Sequence, residues 1–501
     1  MRSDVNVAPA AATPAAAPPE RDPLDRALLR GIAWTGALRW ATQILNWSIT
    51  IVLARILTPG DYGLYGFTAL YVGLVQLVNE FGLGAAIIRR RDLSDDQISA
   101  LGGMSLALGV GLWGLSFLAA PLVAQFFHAP ALAGPLILQS FLFVTTAVKV
   151  LPKSIMSRDM QFRRVAALDA SEQAVSGISM LVLALLGGSY WSLMGGMVLG
   201  GVFSMALAVY WKPHRLGWPA RWSEVSSAVT FGTHIMVARL AWYGYSNGDN
   251  AVVGKRLGQV LLGSYVHAWT LASLPVDRIS ALVSQVTPAI FSAVQDDRPK
   301  LRRYLLKITE GLALLTFPVA MGLASVADLF VVVVMGDRWW PAIAPLAILS
   351  FYGAFRSLTS TLPHALQAVG EAGRAMRYNL LGLAVLLPLF LAGSRWGLAG
   401  VAGAWVIGYP LVTWPMLRAV QRVTDMRLSD LAEAIRPSMI AATAMMAMVA
   451  ATRALLPAST GLPAQFFTAV GVGALTYVLV LILGFRERLA GVRALVGELR
   501  R

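Results

Sequence analysis

The chain has 501 residues, of which 57% are hydrophobic and only 13% charged, half the ~25% charge of an average soluble domain. So few charges cannot cover the surface of a soluble globule, and the absence of cysteine removes disulfides, thiolate metal sites and cysteine nucleophiles. The 41 Lys and Arg outnumber the 26 Asp and Glu, for a formal charge of +15, and the placement of these cations decides between nucleic acid and membrane.

Residues 1–30 read as a disordered cytoplasmic tail, rich in Ala and Pro from Ala8 to Pro19 and then charged, without the apolar core of a secretory signal. From residue 31, runs able to cross ~30 Å of hydrocarbon recur at about 31–54, 62–88, 98–126, 131–151, 165–187, 190–211, 226–253, 261–291, 305–335, 341–368, 378–394, 396–417, 431–452 and 462–485. They predict an all-α polytopic membrane protein with fourteen transmembrane helices, since the runs far exceed the ~10 residues of a barrel strand. With the N-terminus cytoplasmic, 31 cations fall in inner loops, 6 in outer loops and 4 within spans. That asymmetry follows the positive-inside rule, so the basic surplus is topological and nucleic acid is not an expected partner. Residues 486–501 alternate Arg with Leu and Val, as in an amphipathic cytoplasmic helix on the inner leaflet.

Residue n and residue n + 200 match modestly. Arg39, Ala41, Val52, Leu57, Gly63 and Tyr65 recur as Arg239, Ala241, Val252, Leu257, Gly263 and Tyr265, and Arg55 is answered by Lys255. This register lays span 1 on span 7 in the same orientation and predicts two pseudo-symmetric six-helix bundles, 31–224 and 225–427, followed by two further helices in 428–485.

A charge at mid-membrane costs ~2.5–3.5 kcal/mol even on the mildest scale and needs a cavity or a partner. Arg39, Gln43, Asn46 and Thr50 form one helical stripe on span 1; Arg239, Tyr243, Ser246 and Asn250 repeat its spacing on span 7. Arg278 and Arg356 lie deeper, on spans 8 and 10. If the faces converge, these arginines form a cationic pocket suited to phosphate, which arginine binds through two parallel donors. Glu80, Asp249 and Asp277 are the candidates for carrying a coupling ion, H⁺ or Na⁺, and Asp277 would also neutralise the neighbouring Arg278. Asp169 and Glu172 read as interfacial partners of a basic loop. His234, His267 and His364 lack metal-ligand spacing and read as helix-packing residues. The pairs Tyr190-Trp191 and Trp339-Trp340 read as interfacial belts. There is no phosphate-binding Gly-rich loop, HExxH or GxSxG, and no segment large enough for a nucleotide domain, so neither enzyme activity nor a cofactor is expected.

The turn Leu53 to Tyr65 (Leu-Ala-Arg-Ile-Leu-Thr-Pro-Gly-Asp-Tyr-Gly-Leu-Tyr), Asn79 to Gly84, Asp249 to Gly258, Leu262 to Tyr265 and the Pro288 to Arg298 stretch carry a resemblance. Over residues 30–430 the chain resembles the bacterial polysaccharide transporter family, the Wzx-type flippases of the multidrug/oligosaccharidyl-lipid/polysaccharide superfamily. The resemblance implies a V-shaped, MATE-like pair of bundles that opens alternately to either side of the bacterial inner membrane. Its implied cargo is an undecaprenyl-pyrophosphate-linked oligosaccharide for exopolysaccharide, O-antigen or capsule, with a polymerase and chain-length protein as partners. Family members have a cationic central cavity, which Arg39, Arg239, Arg278 and Arg356 would supply here, and the last two spans would complete a groove for the lipid tail. A cation-coupled drug antiporter of the same superfamily would show a dominant acid in an aromatic cavity. A membrane glycosyltransferase or polymerase would need a large outer loop, and an assembly scaffold is the remaining alternative.

Overall fold

The structure is a computed structural model that describes residues 45, 47–80, 87, 94–218, 226–371, 373–457 and 459–486. Among these residues it is entirely helical, without a strand. The first half holds α1 (Trp47–Ile56), α2 (Pro59–Glu80), α3 (Asp95–Phe126), α4 (Pro130–Arg158), α5 (Phe162–Leu185) and α6 (Trp191–Trp211). The second holds α7 (Ser226–Leu257), α8 (Gln259–Ala293), α9 (Arg298–Ser325), α10 (Ile343–Thr359), α11 (Gly373–Gly393) and α12 (Gly397–Thr424). Two more helices follow, α13 (Leu428–Leu455) and α14 (Leu462–Gly484).

Nine helical stretches among the described residues are long and apolar enough to cross a bilayer; α11 and α12 share one of them, Leu380–Thr424. The distribution of polarity is that of a protein solvated by lipid. Leu118, Leu122, Leu475 and Leu483 are each more than 60% exposed, whereas Asp61, Lys149, Asp249 and His267 are buried. A soluble protein would invert both sets. With nine helical stretches of 21 residues or more among the described residues, each apolar enough to cross a bilayer, the chain is a multi-pass membrane protein.

Local signals set the helix ends. Ser94 caps α3, accepting from the Gln97 N–H at 3.3 Å while the Gln97 side chain accepts from the Ser94 N–H at 3.0 Å. Asp297 caps α9 through the Lys300 N–H at 3.0 Å, and those bonds hold its carboxyl below the usual carboxylate range. Gly258, at φ +91°, turns α7 directly into α8, a conformation that only glycine adopts freely. Between α9 and α10 regularity fails: a π turn over Val331–Met335 and a 3-10 turn over Asp337–Ala342 carry the chain back.

The largest core cluster runs through both halves, from Leu53, Phe67, Leu132 and Leu193 to Tyr265, Trp339, Leu346 and Trp405. A second cluster fastens α13 and α14 to the second half: Ala313 and Phe317 of α9 meet Met445 and Tyr477, and the Tyr477 hydroxyl donates to the Leu314 carbonyl at 2.9 Å. Asp169 and Glu172 do serve as ion-pair partners, of Lys153 and Lys149 at 2.6 and 2.5 Å.

Candidate functional site between the two halves

The turn Thr58-Pro59-Gly60-Asp61 begins at the residues themselves. The Thr58 N–H and hydroxyl donate to Asp61 at 2.8 and 2.7 Å, and the Asp61 N–H donates to the Thr58 hydroxyl at 3.2 Å. Pro59 stands at the first helical position, where its missing N–H costs nothing. This reciprocal cap starts α2 sharply and sets it along α8. There the helices touch backbone to backbone: a side chain on Gly63 would meet the Gln259 carbonyl, and one on Gly263 the Pro59 carbonyl. The two contacts are related by 200 residues at both ends, Gly63 to Gly263 and Pro59 to Gln259.

Cations bind the same junction. The Arg55 guanidinium donates to the carbonyls of Val333 and Val334 in the π turn, the latter at 2.6 Å. Arg338 answers by donating to Arg55 O at 2.9 Å and Leu57 O at 3.3 Å, the free carbonyls at the end of α1. Lys255, the counterpart of Arg55, donates to the Phe126 carbonyl ending α3 and lies 4.4 Å from the centre of the Phe126 ring. Trp339 corrects one expectation. Rather than forming a belt, it is fully buried, its indole N–H donating to Ala54 O at 2.8 Å, while Trp340 is exposed. Tyr62, His267 and Trp339 pack as three rings, the histidine 4.7 Å from each neighbour and edge-on to Tyr62, so His267 packs through its ring face and edge.

Tyr243 of the α7 stripe meets the first half. Tyr243 donates to the carbonyls of Leu70 and Ala69 on α2 at 3.0 and 3.2 Å. Arg239 precedes it by one turn, thirteen residues or ~20 Å into α7, and is exposed. Ser246 and Asn250 continue the row, partly buried. Arg278, on α8, is exposed; Asp277 does not neutralise it but pairs with Arg356 of α10. Arg356 lines a small void with Trp269, Ser273 and Tyr352. Thr50 is partly buried on α1. Arg39, Gln43 and Asn46, and the side chains of Glu80 and His234, lie outside the described residues.

Asp249 points the other way. Adjacent helical residues diverge by ~100°, so while Asn250 follows the stripe Asp249 enters the second half. Its carboxylate accepts from the Tyr265 hydroxyl and the Trp405 indole N–H, both at 2.8 Å, and from the Asn250 N–H at 2.8 Å. Rings close over it: Trp405 lies 5.1 Å from Trp269, Tyr352 and Phe390 and 5.8 Å from Tyr245. Sequence reading singled out Asp249 but missed Tyr265 and Trp405 as its partners, and it missed the Arg55–Arg338 clamp, whose one visible signal was the Arg55/Lys255 match. Among the described residues no group of His, Cys, Asp and Glu has the arrangement of a metal site.

The family model for polysaccharide biosynthesis proteins matches residues 52–344. Relatives include the teichuronic acid biosynthesis protein TuaB of Bacillus subtilis, 25% identical over 93% of this chain and 97% of its own. The lipopolysaccharide biosynthesis protein WzxC of Escherichia coli is 24% identical over 72% of this chain and 73% of its own. Among solved structures, the lipid II flippase MurJ in an inward closed conformation superposes with a TM-score of 0.75 at 14% identity, covering 91% of this chain and 99% of MurJ. An inward-facing MATE multidrug transporter gives 0.63 at 16% identity, with 77% and 96% covered. With more than half its length matched, the chain belongs to the polysaccharide biosynthesis protein family, and it shares the fold of MurJ.

Proposed function

We propose that the protein carries an undecaprenyl-pyrophosphate-linked oligosaccharide from the cytoplasmic to the periplasmic leaflet of a bacterial inner membrane, its two halves opening the site between them to each side in turn. In this reading α1, α2, α7 and α8, which lie outside the nine long apolar stretches, also cross the bilayer and complete fourteen spans, with both termini cytoplasmic. The observation that carries it is Tyr243 of the α7 stripe donating to the α2 carbonyls. Arg239, Ser246 and Asn250 share its helical stripe, the face on which a charged cargo would be met. Arg278 and Arg356 add cations from α8 and α10, and Arg39, Gln43, Asn46 and Thr50 would mirror the stripe from span 1. A pyrophosphate crossing ~30 Å of hydrocarbon needs its hydration replaced, and arginine does so while staying charged. A polymerase and a chain-length protein would receive the delivered units.

Asp249 favours ion coupling within the same cycle, because a protonatable group held by two side-chain donors loses or gains charge inside the second half without touching the cargo. Asp277 we assign to holding Arg356, and Glu80 remains the first-half candidate. The buried acid also supports a second reading, a cation-coupled antiporter. Reconstituted vesicles separate the two. Translocation of a fluorescent lipid-pyrophosphate sugar is expected from the intact protein and is expected to fall with Arg239→Ala. No translocation, together with drug-stimulated proton release, favours the antiporter; unaltered translocation in Arg239→Ala removes the arginine site.

A further inference from the structure

Away from the junction, the start of α11 and the end of α12 enclose a cavity of about 400 Å³ lined by Arg377, Tyr378, Pro415, Arg418, Ala419 and Arg422, within the ~300–1,000 Å³ typical of small-ligand sites. Three guanidinium groups line it, and among the described residues no carboxylate does. Arg418 and Arg422 are one helical turn apart, a spacing at which like charges repel, and Arg377 approaches them from the antiparallel helix. All three are exposed, and among the described residues none has an acidic partner.

The neighbouring cavity supplies the contrast. Some 520 Å³ in volume, it gathers Arg302, Arg303 and Lys307, but Glu310, Asp425, Asp430 and Glu433 line it too. Arg302 pairs with Asp430 at 2.5 Å, and Asp425, three residues beyond Arg422, is turned to Arg298 at 3.5 Å. Charge in that cavity is balanced by its own lining; the described lining of the α11–α12 cavity supplies no balancing charge. The cavity is also held in shape. The Arg418 guanidinium stacks 5.0 Å from the centre of the Trp414 ring, which leaves its edge donors free, and the Tyr378 hydroxyl reaches the Pro415 carbonyl at 3.4 Å, tying the two helices together.

We infer that this cavity binds a phosphate-bearing anion, through the paired donors that guanidinium presents to phosphate oxygens. The site is separate from the α7 stripe and does not depend on what the stripe carries. Two sources share the chemistry, the headgroup of an anionic lipid at the membrane surface and a soluble phosphate. The test uses the full chain, an Arg377→Ala/Arg418→Ala/Arg422→Ala variant, a charge-matched Arg163→Ala/Arg215→Ala/Arg303→Ala control, and an Arg→Lys version of the first triple that keeps charge should the alanine form fail to fold.

In nanodiscs of mixed phosphatidylcholine and phosphatidylglycerol, the lipid retained through detergent extraction reports the headgroup source. Thermal stabilisation by inorganic pyrophosphate in detergent reports the soluble source. Each lost arginine removes charge-assisted bonds, so the alanine triple is expected to weaken one or both by ~100-fold or more relative to the control, and the lysine triple by less. Loss of phosphatidylglycerol alone assigns the site to lipid, and loss of the pyrophosphate effect alone assigns it to a soluble anion. Equal behaviour of the alanine triple and the control in both measurements overturns the inference, as does equal behaviour of the lysine triple and the intact protein if only that triple folds.

Discussion

Asp249 shows how one carboxylate is made tolerable inside a membrane protein. Taking a charge out of water is expensive unless every lone pair finds a donor, and here Tyr265, Trp405 and the Asn250 N–H supply three. Removing one should be felt directly. Tyr265→Phe keeps the ring's packing and deletes a bond to a charged acceptor, so unfolding in detergent is expected to come about 1.5–3 kcal/mol more easily. Asp249→Asn keeps an oxygen for Tyr265 and Trp405 but cannot exchange a proton. It also loses the Asn250 bond and the charge on its acceptor, so its thermal midpoint is expected to fall as that of Tyr265→Phe does, while translocation of lipid-linked sugar is lost in Asp249→Asn and kept in Tyr265→Phe. An Asp249→Asn variant that transports normally would leave Asp249 as a packing residue and move the coupling role elsewhere.

The α2–α8 crossing rests on absent side chains. Gly63 and Gly263 each lie against backbone, which cannot swing aside as a rotamer does. Gly63→Ala or Gly263→Ala must therefore part the helices, an overpacking cost of about 1–3 kcal/mol. The chain has no cysteine, so Ser264→Cys, a near-isosteric change at a fully buried position on α8, gives a single reporter thiol. It is expected to resist a water-soluble maleimide in the parent and to react in either alanine background; equal protection in both would mean that the helices absorb the methyl without separating.

How much of this was legible in the sequence depends on range. Apolar run length places α3 to α6 and α9 to α14 well, even through Pro121, Pro152, Pro318 and Pro437, because lipid forces the backbone to bond within its own helix wherever neighbours cover a proline's gap. The stripe on α7 was read from spacing alone as the partner of a stripe on span 1; the contact Tyr243 makes is with α2. The partners were not. Trp405 lies 156 residues from Asp249 and Trp339 lies 285 from Ala54. Trp339 and Trp340 are adjacent tryptophans, yet the irregular turn from Gly336 to Ala342 buries one and exposes the other, and no periodicity predicts the outcome of such a turn.

For the molecule as a whole, the alternation we propose requires the two halves to part where the structure joins them. That end is held by the Arg55 and Arg338 bonds to opposing carbonyls, by Trp339 on Ala54, by Lys255 on the end of α3 and by the α2–α8 crossing. Bonds of this sort, charged donors on neutral carbonyls, are individually modest and exchange with water, so the junction suits a closure that must break in every cycle. A covalent bond would not break. A side chain on Gly66 would begin 3.2 Å from Leu262 Cγ, close to the separation between one Cβ and the far sulfur of an unstrained disulfide. Gly66→Cys with Leu262→Cys should oxidise readily without shifting either helix. Once formed, the bridge is expected to stop translocation in vesicles, and a reductant should restore it to the level of the unoxidised double variant. Each single variant, which cannot bridge the halves, reports any damage from the substitution itself. Undiminished translocation with the bridge intact would show that the cargo crosses without the halves separating here, and the cycle would then have to run on movements confined to the opposite end.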